Sequence, residues 1–284
     1  MHLPPRFWSS TETDVADASG RHLTLRIWGW SDESETEARS VAADRLRRLI
    51  DRGGPSLGRS KRAEYYPFSP LREELLEVLG DRTDPDGFVT RNAYGATVLT
   101  TEVVLIADVD ATEEPVDGGG FFRALFGRPK PATEVSPDER RIRAFADTHS
   151  SLGVHAYRTA GGFRVFVTGT GFVATDDGSR QLLEELGSDP LYMRLCDVQG
   201  TFRARLSPKP WRVGAGRAQE RWPRESPDAA ARHERWLGDY ERRSKGAKVC
   251  APLFRSGPPP SPVEQRVLDF HEQRTVGAAN ARLA

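Results

Sequence analysis

Residues 100–114 read Thr-Thr-Glu-Val-Val-Leu-Ile-Ala-Asp-Val-Asp-Ala-Thr-Glu-Glu, an apolar run from Val103 to Ala107 closed by Asp108 and Asp110. A short aliphatic and β-branched run bounded by polar residues predicts a buried strand. Side chains two apart on a strand share a face, so both carboxylates are expected to project together. Neighbouring carboxylates resist ionising together unless a cation, an arginine or a shared proton compensates them. A divalent cation, Mg²⁺ or Mn²⁺, is the expected partner. The plainer alternative is that the strand simply ends here and the aspartates solvate the following turn.

Working outward, Phe88–Thr90 and Ala96–Thr100 flank the turn residues Asn92-Ala93-Tyr94-Gly95 and predict two more short strands. Downstream, residues 113–137 turn to Gly, Pro and charge around Gly118-Gly119-Gly120 and an apolar patch at Phe121–Phe126, which reads as a flexible insertion. A helix opening at Ser136-Pro137 follows, then a strand pair, Gly153–Tyr157 and Gly162–Thr168, joined by Thr159-Ala160-Gly161-Gly162. Helices over Asp177–Leu186 and Leu191–Cys196 lead to a strand at Thr201–Leu206, whose alternation puts Arg203 and Arg205 on one face.

Upstream, His22–Trp30 alternates as a strand and Ala38–Ile50 has helical spacing until Gly53-Gly54. Ser69 as N-cap, Pro70 and Glu73 predict a second helix to about Leu79, led into by Tyr65-Tyr66-Pro67-Phe68. Ala229–Arg243 and Pro262–Thr275 are expected to be helical, linked by Gly257-Pro258-Pro259-Pro260. The fold class is therefore α+β: a mixed or antiparallel sheet with flanking helices, an α/β N-terminal part and a helical C-terminal part. Residues 1–20 are expected to be disordered or extended, 21–256 to form a single elaborated domain, and 257–284 to pack on it as a helix.

The 284 residues carry 41 acidic and 41 basic side chains, so no global field draws the protein to nucleic acid or an anionic membrane. Any anion-binding surface must be local. Cys196 and Cys250 lie far apart without a CxxC, which points to neither a disulfide framework nor a zinc site. The N-terminus lacks a signal-peptide layout, and no stretch approaches the roughly 18 apolar residues of a membrane span. A cytoplasmic protein is the expectation.

Three segments read together carry the chemistry: 104–110 with the carboxylates, 157–169 with Gly161-Gly162 between Arg158 and Arg164, and 197–212 with Asp197, Arg203, Arg205, Lys209 and Arg212. Carboxylates that hold Mg²⁺ and cations that clamp phosphates are the parts of phosphoryl-transfer chemistry. Glycines let the backbone approach a nucleotide closely. Each has a plainer alternative: Gly161-Gly162 as a hairpin turn, Arg203 and Arg205 in exposed ion pairs, and Arg158 and Arg164 as internal counterions of Asp108 and Asp110. Trp28, Trp30 and Trp211 read as core, with base stacking as the alternative.

In the order of these segments, over about residues 85–215, the chain resembles the archaeo-eukaryotic primase and primase-polymerase superfamily. That resemblance implies an RRM-like catalytic sheet, with Asp108 and Asp110 as paired metal ligands and Asp197 as third catalytic carboxylate. Gly161-Gly162-Phe163-Arg164 takes the place of the second motif, with Arg164 where the family carries a phosphate-contacting histidine. Two functions follow as expectations. One is a metal-dependent enzyme of nucleotidyl transfer or phosphoester chemistry, with nucleotides and nucleic acid as partners. The other is a non-catalytic protein that binds nucleic acid, a nucleotide or a phosphorylated partner through the same arginines.

Overall fold

The structure is a computed structural model that describes residues 1–16, 22–51, 70–112, 135–169 and 171–284. The apolar patch at Phe121–Phe126 and the stretch Tyr65–Phe68 lie outside the described residues. Where the sequence reads one domain over 21–256, the chain divides into two compact units. One comprises His2–Leu75 and Glu220–Ala230; the other comprises Met1, Leu76–Gln219 and Ala231–Ala284.

In the first unit, β1 (Phe7–Ala16) pairs antiparallel with β2 (His22–Ser31) along its whole length. The N-terminal segment is thus extended as a strand rather than disordered. Its thin apolar content hides this; the full-length ladder to β2 holds it, with the Trp8 side chain buried. Helix α1 (Glu35–Asp51) buries Ala38, Ala42, Leu46 and Leu49. Gly29 permits that packing, because a Cβ there would come 2.2 Å from the Ala38 carbonyl oxygen. Trp28 and Trp30 are covered by guanidinium groups, Arg72 at 4.3 Å and Arg45 at 4.2 Å from the ring centres.

The second unit is built on two four-stranded sheets. Strands β3 (Glu74–Gly80), β4 (Pro85–Arg91), β5 (Thr97–Thr101) and β9 (Phe202–Arg205) are ordered β3-β4-β5-β9. Strands β6 (Leu105–Asp110), β7 (Gly153–Thr159), β8 (Gly162–Thr168) and β11 (Cys250–Ser256) are ordered β11-β7-β8-β6, with every neighbour antiparallel. Helices α2 (Pro137–Thr148), α3 (Asp177–Leu186), α4 (Pro190–Gln199), α5 (Pro227–Ser244) and α6 (Pro262–Thr275) complete it, with a small parallel pair of β10 (Ala247–Lys248) and β12 (Arg282–Leu283). The α+β class holds.

The helix expected from Pro70 to about Leu79 is not formed, and Glu74–Gly80 is strand β3 instead; its expected cap, Ser69, lies outside the described residues. A helix that short is marginal without tertiary support, whereas the place beside β4 offers a ladder of backbone bonds. β11 also escapes the sequence reading; its Pro252 is tolerated because β11 is the edge of its sheet and a bulge falls between Pro252 and Phe254.

Leu105, Ile106 and Ala107 of β6 are fully buried, as are Val165, Phe166 and Val167 of β8, and Val267 and Leu268 of α6 pack into the same core. The Tyr192 hydroxyl of α4 clips the two sheets together. It lies 2.8 Å from the Ile106 carbonyl of β6 and 3.1 Å from the Arg203 carbonyl of β9.

Candidate phosphate and metal site

Antiparallel register sets Asp108 opposite Arg164 and Asp110 opposite Gly162. The Asp108 side chain is 33% exposed, and Asp110 at the strand end is exposed. The Asp108 carbonyl accepts from the Asp189 backbone N–H at 2.8 Å and lies 3.2 Å from the Ser188 hydroxyl. This tether brings a carboxylate that the sequence reading missed, Asp189, to the aspartate pair. Asp189 carries only the signature of an N-cap, and its side chain does accept from Leu191 N–H at 3.0 Å at the start of α4.

Burial, then repulsion from Asp108 and Asp189, holds the Asp110 carboxyl above its ordinary range, while Lys209 and Arg205 pull the other way. The carboxylates are therefore crowded, and only partly compensated.

The compensating cations come from the segment after β9. Leu206 N–H bonds the Thr97 carbonyl at 2.8 Å, and the Tyr240 hydroxyl of α5 sits 2.7 Å from both the Ser207 hydroxyl and the Pro208 carbonyl. The chain then enters a 3-10 turn, Pro210–Val213, with Pro208 and Pro210 restricting the backbone on either side of Lys209. This anchoring fixes where Lys209 and Arg212 stand. Burial first, then the charges of Arg205 and Arg212, lower the Lys209 pKa. Burial and Arg205 lower that of Arg212.

Three cations are thus held close enough to repel. Among the described residues none of the three forms a direct ion pair. Arg205 Nε and Arg212 Nη1 are buried with no hydrogen-bond partner there. Gly161 lies beneath this rim, where a Cβ would meet Arg212 Nη2 at 2.8 Å.

The other expected residues take different places. Arg164 is 1% exposed; its Nη1 donates to the Arg205 carbonyl at 2.7 Å and lies 3.4 Å from His271 Nε2, while Nη2 stands 3.6 Å from Asp108. Its donors are turned to the protein, which corrects the expectation of a phosphate contact at this position. Arg158 donates to Glu139 at 2.8 Å and not to the aspartates. Arg203 is buried beside Thr90 and Gln199, 3.5 Å from each, and not on an exposed sheet face.

Asp197 is exposed and pairs with Arg180 at 3.3 Å. It lines an open pocket of about 430 Å³ with Arg180, Glu184 and Arg194 between α3 and α4. The third-carboxylate role expected of Asp197 is not supported by that placement. Ala160 and Gly161 make the β7–β8 turn, and Gly162, the first residue of β8, admits close backbone contact, since a Cβ on it would meet the Val109 carbonyl at 2.0 Å.

The assembled set is Asp108, Asp110 and Asp189 facing Arg205, Lys209 and Arg212. Carboxylates of this kind accept a hard cation, and a crowded cationic rim accepts phosphate oxygens. Among the described residues, no group of three or more His, Cys, Asp and Glu side chains is placed to hold a metal by protein ligands alone. No protein-family model, curated protein or solved structure matches this chain.

Proposed function

We propose that the protein binds the phosphates of a nucleotide together with a divalent cation, Mg²⁺ or Mn²⁺, at Asp108 and Asp110. The observation that carries this reading is the rim of Arg205, Lys209 and Arg212, in which the Arg205 charge lowers the pKa of both Lys209 and Arg212 and two guanidinium nitrogens are buried without a partner among the described residues, beside a crowded aspartate pair. An anion relieves the rim and a cation relieves the aspartates, so a metal–phosphate ligand answers both.

The residues fit the ion. Mg²⁺ bound with phosphates takes one or two protein carboxylates and draws its other ligands from phosphate and water. Asp108 and Asp110 supply that number on one face of β6. When bound, the cation would neutralise charge on the phosphate oxygens. Arg205, Lys209 and Arg212 would hold the remaining phosphate charge, and Gly161 leaves the Arg212 guanidinium room. Nucleotidyl transfer or a related phosphoester reaction, in the manner of the primase-polymerases the sequence resembles, is the chemistry such a set serves.

The burial of Arg164 supports a second reading, in which the same site binds nucleotide or nucleic acid without catalysis. The strand position that should contact phosphate is committed to Asp108 and the Arg205 carbonyl.

Thermal shift with Mn²⁺ and nucleoside triphosphates tests the shared core of both readings. Nucleotide is expected to stabilise the wild type only with the ion present, and Asp110→Asn and Arg212→Gln are each expected to abolish the shift. An unchanged shift in both variants would refute the site. Turnover of radiolabelled nucleotide then separates enzyme from binder.

A further inference from the structure

We infer that Trp211 is the platform on which the nucleobase stacks, so that the site reads a base as well as phosphates; this rests on the phosphate site proposed above. Trp211 was expected in the core, yet it is 44% exposed while its neighbours Pro210 and Val213 are buried. The 3-10 turn that positions Lys209 and Arg212 therefore drives one large aromatic outward between two phosphate-binding cations. Exposing an indole forgoes its burial, which suits a contact surface better than a packing residue.

The surroundings are those of an aromatic platform. Tyr94, from the β4–β5 turn, meets Trp211 edge to face at 5.3 Å and 62°. The Tyr94 backbone is itself fixed, its carbonyl accepting from Ala218 N–H at 3.2 Å. The Lys209 ammonium and the Arg217 guanidinium lie 5.8 Å and 5.0 Å from the Trp211 ring centre. Exposed aromatics interleaved with cations are how proteins hold unpaired bases, because every base offers a π-face while the cations take the backbone phosphates. Trp28 and Trp30, with their own guanidinium covers in the other unit, have no carboxylate pair or cationic rim assigned to them.

Calorimetric titration with ATP and with inorganic tripolyphosphate, each with Mn²⁺, separates base from phosphate. The wild type is expected to prefer ATP by about 5- to 150-fold, the range for stacking one base on an aromatic side chain. Trp211→Ala should erase that preference while leaving tripolyphosphate affinity in place, and Trp211→Phe should restore part of it.

Equal affinity of the wild type for the two ligands would overturn the platform and leave the phosphate site standing. Failure of tripolyphosphate and ATP alike to bind would overturn both. Retention of the full ATP preference in a folded Trp211→Ala protein would assign base recognition elsewhere and also overturn the platform.

Discussion

Asp108 and Arg164 face each other across β6 and β8, with the fully buried Arg164 guanidinium 3.6 Å from a carboxylate that still reaches solvent. Asp108 is thus a hinge between two environments, neutralising a core arginine on one side and opening to the cationic rim on the other.

The two aspartates should therefore respond differently to the same substitution. Asp108→Asn leaves a buried guanidinium without its carboxylate and is expected to cost about 1–3 kcal/mol of stability, since Arg164 keeps the Arg205 carbonyl. Asp110→Asn removes repulsion from Asp108 and Asp189, and its melting temperature should equal or exceed the wild type's at neutral pH. Both should lose the Mn²⁺ response. Denaturant melts of the two variants check this, and a stability loss in Asp110→Asn as large as in Asp108→Asn would refute the division of roles.

His271 predicts a pH dependence. It is fully buried against Tyr157 and Phe166, 3.4 Å from Arg164 Nη1 and 3.8 Å from Cys250 Sγ, with Thr275 also at its Nε2. Burial, then the Arg164 charge, lowers its pKa well below the ordinary value. The unfolded chain binds the proton first, so this contribution is complete above the unfolded pKa of about 6.5 and is lost as pH falls below it. The slope approaches about 1.4 kcal/mol per pH unit for one proton. His155, also lowered by burial, adds in the same direction. Melts from pH 7 to 5 should flatten in His271→Gln, and an unchanged slope would refute the assignment.

The adjacent glycines at the β7–β8 turn should separate fold from site. Gly162 has φ +151° and no space for a Cβ, which would approach backbone atoms of Val109 and Ala111 at 2.0 and 2.6 Å. Gly162→Ala should cost at least about 2 kcal/mol. A Cβ on Gly161 meets only the end of Arg212, a flexible side chain. Gly161→Ala should spare the melting temperature and weaken tripolyphosphate binding. Comparable stability losses would show that the turn acts as one unit.

Much of this was legible before any coordinates. The alternation of β2, the apolar run of β6, the strand pair β7–β8 and the helices α2 and α6 announce themselves because local pattern and tertiary burial agree. Segment Glu74–Gly80 misleads because cap residues favour a helix locally while the sheet edge decides. Within the site, the aspartate pair and the trio Arg205, Lys209 and Arg212 follow from alternation and proximity in sequence. Asp189 does not, since a backbone tether to Asp108, 81 positions away by numbering, brings it there. Burial likewise separates Arg164 and Arg203 from Arg205, and residue type alone does not encode it.

Lys209 offers a chemical probe of the rim. Burial and the Arg205 and Arg212 charges lower its pKa, so a larger share of its amine is unprotonated, and therefore nucleophilic, than in an ordinary lysine. An anion on the rim reverses the electrostatic part of that shift and also covers the amine. Acetylation by acetic anhydride at mildly alkaline pH, followed by peptide mass spectrometry, should modify Lys209. Tripolyphosphate with Mn²⁺ should slow that modification, while Lys245, an exposed residue beyond α5, should react at the same rate with and without it. Arg205→Gln removes a repelling charge and should slow the reaction without any ligand. If tripolyphosphate failed to protect Lys209 at saturating concentration, the anion would have to sit away from this lysine, and the rim would reduce to Arg205 and Arg212.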